Sequence, residues 1–129
     1  MYSLIEISVL IHATENENKV LKSILEFIEQ SIKLVKVEYA KTEGHWKNPI
    51  NLFKIFIDLN VDKIFIKLHS HLVESYGENE INNYIENNQD KKGYFYARLD
   101  KQKLCSGKII LSDKDSVRIV FKKLGKFKK

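Results

Sequence analysis

Residues 3–28 read SLIEISVLIHATENENKVLKSILEFI, and this stretch decides the fold class because its hydrophobic period changes halfway along. In the first half, the odd positions from Ile5 to Ile11 are all apolar and alternate with a mixed set, which is the pattern of a strand with one buried side. Thr14, followed three residues later by Glu17, has the form of a capping box. The apolar residues between Val20 and Ile28 then fall at helical spacing. The stretch therefore predicts a strand followed by a helix.

The same two periods continue along the rest of the chain. Alternating, β-branched residues predict strands at Ile32–Ala40 and Ile50–Leu59, and the short loop between them favours a hairpin. Asn60 then has the position of a helix cap, in front of an apolar stripe that runs from Val61 to Tyr76. A more polar helix is predicted at Glu78–Asn88. The last third adds three predicted strands, at Tyr94–Leu99, Lys108–Ser112 and Ser116–Lys122.

The predicted element order is therefore βαββααβββ. Strands and helices in this proportion are typical of an α+β fold with two layers, in which the helices cover one face of a mostly antiparallel sheet. The other face is then open to solvent, to a partner subunit or to a ligand. The chain has 129 residues, 43% of them hydrophobic, and no break in composition. It fits a single domain over residues 1–129, with a short basic tail at about residues 122–129.

Cysteine use and the N-terminal sequence bear on the cellular compartment. Cys105 is the one cysteine of the sequence, so the chain lacks the internal disulfides that staple small secreted domains. The first residues lack the features of a signal peptide, and no apolar run approaches the roughly 18 residues that a membrane-spanning helix needs. These observations predict a cytoplasmic protein without a membrane partner.

The charge is distributed unevenly along the chain. Residues 1–90 contain 9 lysines and 14 acidic residues, a net charge of −5, whereas residues 91–129 contain 13 Lys and Arg and 3 Asp, a net charge of +10. The final KKLGKFKK, which begins with Lys122 and Lys123, alone carries five lysines. Such a segment favours a polyanionic partner whose backbone the tail would follow. A solvated basic surface and a frayed terminus would give the same pattern, so charge alone leaves both interpretations open.

Side chains on the side of the sheet away from the core suggest what that partner is. In the first strand of the basic segment, alternation places Tyr94, Tyr96 and Arg98 on this side, and the last strand adds Arg118 and Lys122. In RNA-binding sheets, unpaired bases stack on aromatic rings and guanidinium planes while cations contact the phosphates. This set therefore predicts a platform for single-stranded RNA. The alternative is that the tyrosines cover the sheet or lie in a homodimer interface.

Arg98 is one of only two arginines in a chain with twenty lysines. Arginine is preferred where a planar fork of donors must grip a carboxylate or a phosphate. Asp100 follows two residues later, on the same side of the strand. Arg98 is therefore either a structural clamp paired with Asp100 or a residue that recognises a ligand, and the sequence leaves both open.

Asp100 also has the position of a cap for a short helical turn. The turn would continue through Lys101, Gln102 and Lys103 and end near Gly107. Its lysines would then stand beside backbone N–H groups that favour anions. The sequence therefore predicts a phosphate contact at this turn.

The four histidines do not form a recognisable catalytic or metal site. His69 and His71 lie two apart on a predicted helix and point to different sides, unlike the i, i+4 pair of a zinc helix. No glycine-rich phosphate loop or nucleophile elbow is present. His45, in a loop near Glu43, has the chemistry of an acid or base but no nucleophile beside it. The sequence therefore predicts a protein that is not an enzyme and that has no metal or cofactor.

Two segments match motifs of a known family. Residues 44–50, GHWKNPI, resemble a Gly-His-aromatic-Gly-Asn-Pro-Ile signature, with Lys47 in place of the second glycine. Residues 98–102, RLDKQ, followed by Gly107, resemble an Arg-Leu-Asp-Lys-Gln signature of the same small archaeal RNA-binding family. That family is described as a predicted exosome subunit, and its fold is similar to that of a ribosomal protein that binds the smallest RNA of the large subunit. The order of elements agrees over nearly the whole chain.

The resemblance implies an α+β fold and an RNA-binding role without a known catalytic residue or cofactor. The partners that it implies are RNA and, through the family description, exosome or ribosomal proteins. In the loop, Trp46 would stack on a base while His45 and Asn48 form hydrogen bonds with it. The alternative is that His45 and Asn48 hold the backbone of the turn and Trp46 packs back on the sheet.

Overall fold

The computed structural model describes residues 2–30, 33, 35–43 and 49–123. The strands are β1 (Leu4–His12), β2 (Lys36–Glu43), β3 (Pro49–Ile57), β4 (Phe95–Asp100) and β5 (Ser116–Lys122). The helices are α1 (Glu17–Ile28), α2 (Val61–Tyr76), α3 (Glu78–Asn87) and α4 (Lys101–Cys105).

The strands form one antiparallel sheet in the order β2-β3-β1-β5-β4. The central strand β1 is the one at the start of the chain, and its alternation fixes which side of the sheet is buried. Ile5 and Ile7 are fully buried, and Val9 and Ile11 are 2% exposed. The α+β class, the antiparallel sheet and the β2–β3 hairpin are as predicted from the sequence.

The helices cover the face to which these β1 side chains point. The apolar stripe of α2 is buried at Val61, Ile64, Leu68 and Leu72, and α3 buries Ile81. These residues and those of α1 form one core cluster with the buried side chains of the strands. Each buried aliphatic side chain stabilises the fold by roughly 1.5–3 kcal/mol, so these contacts hold the helices firmly against the sheet. The described helices leave the opposite face of the sheet uncovered.

The first helix begins later than the predicted capping box at Thr14. Asn16 is its cap, and the Asn16 side-chain oxygen accepts the Lys19 N–H at 3.1 Å. Thr14 stays in a turn, since the next residue, Glu15, bonds back to the His12 N–H at 2.8 Å. The acidic side chain of this turn is therefore drawn toward the end of β1.

Other boundaries shift by a few residues. The second strand begins at Lys36 and extends to Glu43, because its register with β3 pairs Lys36 with Phe56 and Glu43 with Pro49. The preceding residues 31, 32 and 34 lie outside the described residues. Asn60 precedes α2 as predicted but makes no side-chain capping hydrogen bond, since its backbone is left-handed with φ of 57°.

The prediction of a strand at Lys108–Ser112 is wrong. This segment makes a single bridge to the outer edge of β4, between Leu111 and Leu99. Three different groups satisfy the backbone N–H groups along that edge. Tyr96 N–H donates to the Asn88 carbonyl, Arg98 N–H to the Tyr84 hydroxyl, and Asp100 N–H to the Ile110 carbonyl. Little of the edge therefore remains for a sixth strand to pair with.

Candidate nucleic-acid interface

The face of the sheet away from the helices, called the open face below, carries the even-numbered side chains of β1 to β5. Tyr96, Arg98, Arg118 and Lys122 lie on it, as predicted, and Tyr94 precedes β4 with the same alternation. Their contact with RNA stays a prediction. Alternation along a strand is enough to place these side chains, because the buried partners Phe95 and its odd-numbered neighbours fix the opposite side.

A line of polar side chains crosses four strands of the open face. Lys54 on β3 is opposite Ser8 on β1, Ser8 is opposite Arg118 on β5, and Arg118 is opposite Arg98 on β4. We call these four residues the cationic row. Since neighbouring strands lie about 4.8 Å apart, the row spans about 14 Å.

Two arginines stand directly opposite each other in this row, which is unfavourable for the folded protein because like charges repel. Among the described residues, neither Arg98 nor Arg118 takes part in an ion pair with a carboxylate. Arg98 is exposed to solvent, and the Arg118 guanidinium lies 5.2 Å from the centre of the Tyr96 ring. The ring holds Arg118 in place without neutralising its charge.

Two buried polar side-chain atoms of the described residues lack a hydrogen-bond partner, and they are neighbours in the cationic row. They are the Ser8 Oγ and the Arg118 Nε. A buried donor without an acceptor costs on the order of 1–3 kcal/mol. The protein therefore carries an unsatisfied arginine donor at the middle of the row.

Asp90 fixes the tyrosines beside the row. Its carboxylate accepts the Lys92 N–H at 2.9 Å and the Tyr94 N–H at 3.0 Å, and it accepts the Tyr96 hydroxyl at 2.8 Å. This hydrogen bond to Asp90, with smaller contributions from desolvation and the Asp90 charge, raises the pKa of Tyr96. The Tyr96 ring therefore has a defined position on the open face at neutral pH.

A second line lies next to the cationic row and carries two aromatic rings. Phe56 on β3 is opposite Glu6 on β1, Glu6 is opposite Val120 on β5, and Val120 is opposite Tyr96 on β4. We call these four residues the aromatic row. The negative charge of Glu6 is offset by Lys122, whose ammonium lies 2.7 Å from the Glu6 carboxylate.

The pairing of Arg98 with Asp100 that the sequence allowed is not formed. Asp100 caps α4, where its carboxylate accepts the Lys103 N–H at 2.9 Å. A carboxylate that is already bound to the helix end offers little to a second donor. Arg98 therefore does not act as a structural clamp paired with Asp100.

Lys101 was predicted to contact RNA, but its surroundings in the structure do not support that contact. Its side chain is completely buried, and its ammonium donates to the Leu10 carbonyl at 2.8 Å and contacts Glu15 at 2.7 Å and Asp115 at 2.8 Å. We call this arrangement the lysine latch. It joins the end of β1, the turn before α1 and the turn before β5. Gln102 supports it, since its amide donates to Glu15 at 2.9 Å.

The latch also changes the electrostatics of Glu15. Burial alone would raise the pKa of this carboxyl group, but the hydrogen bonds from Lys101 and the His12 N–H, together with their charges, outweigh it and lower the pKa. The short helix α4 is thus capped by one carboxylate and anchored on two others. The predicted phosphate contact through Lys101 is therefore not available, because its ammonium already has three partners.

The other predicted residues have different surroundings. Lys103 is exposed on α4, and Lys123 is exposed after β5, with its ammonium 5.7 Å from the Tyr2 ring. The loop residues His45, Trp46 and Asn48 lie outside the described residues, as does the tail after Lys123.

Lys54 and Phe56 were not singled out from the sequence. The stretch Ile50–Leu59 is strongly apolar, which obscures the difference between its two sides. The signal was present, since Phe53 and Ile55 are buried and the intervening even positions must face the other way.

No group of three or more His, Cys, Asp or Glu side chains suited to a metal ion occurs in the part of the chain that the structure describes. Within the same part, none of the helices has the length and apolar character needed to span a membrane.

Comparison with known proteins gives the family. A protein family described as RNA binding matches residues 4–123 of the chain. RNA-binding protein PAB1135 of Pyrococcus abyssi is 32% identical over 117 residues, which cover 88% of this chain and 75% of that protein. An uncharacterised protein of Methanocaldococcus jannaschii is 31% identical over 130 residues, which cover 94% of this chain and 84% of that protein.

Solved structures agree on the fold. Mth689 of Methanothermobacter thermautotrophicus aligns with a TM-score of 0.77 at 22% identity, covering 95% of this chain and 85% of that one. SSO0741 of Sulfolobus solfataricus aligns with a TM-score of 0.75 at 24% identity, covering 92% and 86%. At these identities the structures show a shared fold alone, whereas the family match and the relatives above show kinship. The resemblance seen in the two motifs is confirmed, and the chain belongs to this archaeal RNA-binding family.

Proposed function

We propose that this protein binds RNA on the β4–β5 half of its open face, with Arg98 and Arg118 contacting phosphates and Tyr96 stacking on a base. The observation that carries the proposal is the pair of opposed arginines without an ion pair among the described residues. Like charges held together at a cost of roughly 0.2–1 kcal/mol relative to a neutral pair need a compensating partner. A phosphate backbone supplies the missing charge.

The chemistry of the two arginines supports phosphate as that partner. Guanidinium binds phosphate through two parallel hydrogen bonds, and among the described residues neither Arg98 nor Arg118 takes part in an ion pair with a carboxylate. The Tyr96 ring orients Arg118 before RNA arrives, which lowers the entropy lost on binding. Lys103 and Lys123 are exposed and add positive potential that strengthens the attraction at low salt, whereas the charge of Lys122 is offset by Glu6.

The remaining parts of the proposal rest on the sequence motifs. His45, Trp46 and Asn48 contact RNA from the β2–β3 loop, and Gln102 acts through the latch that it supports. The whole chain acts as one RNA-binding domain in the cytoplasm, performs no chemistry, and serves RNA processing or degradation through the exosome, or ribosomal RNA. Incubation with RNA and divalent metal tests for chemistry by product formation. Co-purification from the native cells tests the exosome and ribosomal associations.

Binding of a labelled RNA, followed by fluorescence anisotropy at several salt concentrations, tests the RNA site. Each phosphate contact contributes roughly 0.7–0.9 to the slope of log affinity against log salt. Arg98→Ala and Arg118→Ala should each weaken binding and reduce this slope. Lys22→Ala is the matched control, because Lys22 is an exposed cation of α1 on the other side of the sheet. Equal losses in all three variants would contradict the proposed site.

A competing proposal is that the open face is a homodimer interface. The observation in its favour is Leu10, a β1 side chain of this face that is 46% exposed. Light scattering discriminates between the two. A dimer that Leu10→Asp or Tyr96→Asp dissociates, in a protein without affinity for RNA, would replace the RNA-binding proposal.

A further inference from the structure

Among the described residues, the cations of the open face that take part in no ion pair lie along a single line. The open face also carries Lys36 and Lys122, but Lys36 pairs with Glu38 at 3.6 Å and Lys122 pairs with Glu6 at 2.7 Å. Among the described residues of this face, the cations that take part in no ion pair are Lys54, Arg98 and Arg118. All three belong to the cationic row.

One line of cations matches one phosphate backbone. An RNA duplex presents two backbones, and its bases are stacked inside, where a flat sheet does not reach them. On this face a second backbone beside the row would meet the carboxylate of Glu6 on one side and the apolar side chains of Leu10 and Leu52 on the other. The charge pattern therefore disfavours a duplex and fits a single strand.

The aromatic row gives the bases a place. It runs beside the cationic row, two residues along each strand, which is a distance of about 7 Å. Phe56 and Tyr96 lie at its two ends, on β3 and β4. Phe56 is partly exposed, and the Lys36 ammonium lies 5.9 Å from the centre of its ring. Aromatic rings on an open sheet stack on unpaired bases of any sequence.

We propose that the site takes single-stranded RNA that crosses the sheet from β4 to β3, with phosphates on the cationic row and bases on the aromatic row, so that Lys54 and Phe56 bind RNA. The inference rests on the proposed function and extends the site across β5 and β1. Beyond Lys54 the line of the row continues to the carboxylate of Glu38 on β2, so the path of phosphates ends at β3.

The test compares a 5′-labelled oligouridine with a duplex of the same length, using anisotropy on the full chain. Phe56→Leu removes the ring and keeps an apolar side chain, and Lys54→Ala removes the cation. We expect the single strand to bind at least roughly tenfold more tightly than the duplex, Phe56→Leu to weaken it roughly five- to tenfold, and Lys54→Ala to reduce the salt slope by roughly 0.7. Lys22→Ala should change neither quantity. Thermal unfolding verifies that each variant is folded at the assay temperature.

The outcomes separate this inference from the proposed function. Weaker binding in Arg98→Ala and Arg118→Ala, with Lys54→Ala and Phe56→Leu unchanged, overturns the path across the sheet and keeps the RNA site on β4 and β5. Equal affinity for duplex and single strand overturns the single-stranded specificity. No effect of either arginine variant on either RNA overturns the proposed site itself.

Discussion

Replacing Lys101 by methionine tests the lysine latch and separates folding from RNA binding. The ammonium of Lys101 is completely buried and bridges Glu15, Asp115 and the Leu10 carbonyl. Methionine keeps much of the side-chain volume but removes the charge and the three donors. Glu15, whose side chain is 14% exposed, is then left as a partly buried carboxylate without its cation.

The size of the effect follows from what remains around the two carboxylates. Removing one partner of a buried ion pair costs about 3–5 kcal/mol. Asp115 is 48% exposed and regains water, and Glu15 keeps hydrogen bonds from the His12 N–H and the Gln102 amide. We therefore expect a loss near the lower end, about 3 kcal/mol of unfolding free energy at neutral pH. In a domain of ordinary stability, about 5–15 kcal/mol, such a loss is easily measured.

The loss should depend on pH with a definite sign. The pKa of Glu15 in the folded protein is lower than its ordinary value of 4.5, so its contribution to stability is present above that value and disappears as the pH falls through the folded pKa. In Lys101→Met, protonation of Glu15 instead relieves the uncompensated charge. The difference in stability between the two proteins should therefore narrow on acidification below about pH 4.5.

Urea unfolding followed by circular dichroism, at neutral pH and in mild acid, measures these differences. Lys103→Met is the matched control, because Lys103 lies on the same short helix but is exposed, and its replacement should change stability by less than about 0.5 kcal/mol. At a temperature where Lys101→Met is folded, its affinity for RNA should equal that of the unmodified chain. A loss of less than about 1 kcal/mol in the free energy of unfolding would contradict the stabilising role of the latch. A fall in the RNA affinity of the folded variant would indicate that Lys101 contacts RNA.

Three further predictions concern the open face and its edge. Asp90→Asn should lower the pKa of Tyr96 toward its ordinary value of 10.0, since the Asp90 hydrogen bond is the main cause of the raised pKa; an unchanged midpoint in ultraviolet titration would contradict this. Arg98→Ala should leave the melting temperature unchanged or slightly raised, because it removes a like-charge pair, while RNA binding falls; a clear loss of stability would point to a structural role. Gly93→Ala should destabilise the fold by roughly 1–2 kcal/mol, because Gly93 has φ of +82° and an added Cβ would lie 3.3 Å from the Lys123 ammonium; urea unfolding of Lys92→Ala provides the comparison.

The sequence predicts the layers of this fold well because its periods are clear. Alternation from Ile5 to Ile11 identifies the buried side of β1, and the same rule places Arg98 and Arg118 on the open face. The segment Lys108–Ser112 shows the limit of such patterns. Its β-branched residues favour a strand, but Asn88 and Tyr84 already take the N–H groups of Tyr96 and Arg98, so the segment bonds to β4 only through the Ile110 carbonyl and the Ser112 N–H.

The burial of Lys101 is the feature of the site that the sequence conceals most. A lysine in a basic segment is expected at the surface. Its partner Glu15 is distant along the chain, and its partner Asp115 lies in the turn before β5. One local signal existed. Lys101 lies three residues before Leu104, so the two share a face of α4, and Leu104 is buried. Helical spacing could have placed the side chain inward, but only the fold shows that two carboxylates meet it there.

The structure divides the motif RLDKQ between two roles. Leu99 is completely buried, Asp100 caps α4, Lys101 forms the latch, and Gln102 supports it. Arg98 is the one member whose side chain is left to the solvent on the open face. Because the four others hold β4, α4 and the end of β1 together, they fix the strand from which Arg98 faces Arg118. A motif that resembles an RNA-binding signature therefore contributes mainly rigidity, and in the proposed site Arg98 is the residue that this rigid segment presents to the phosphate backbone.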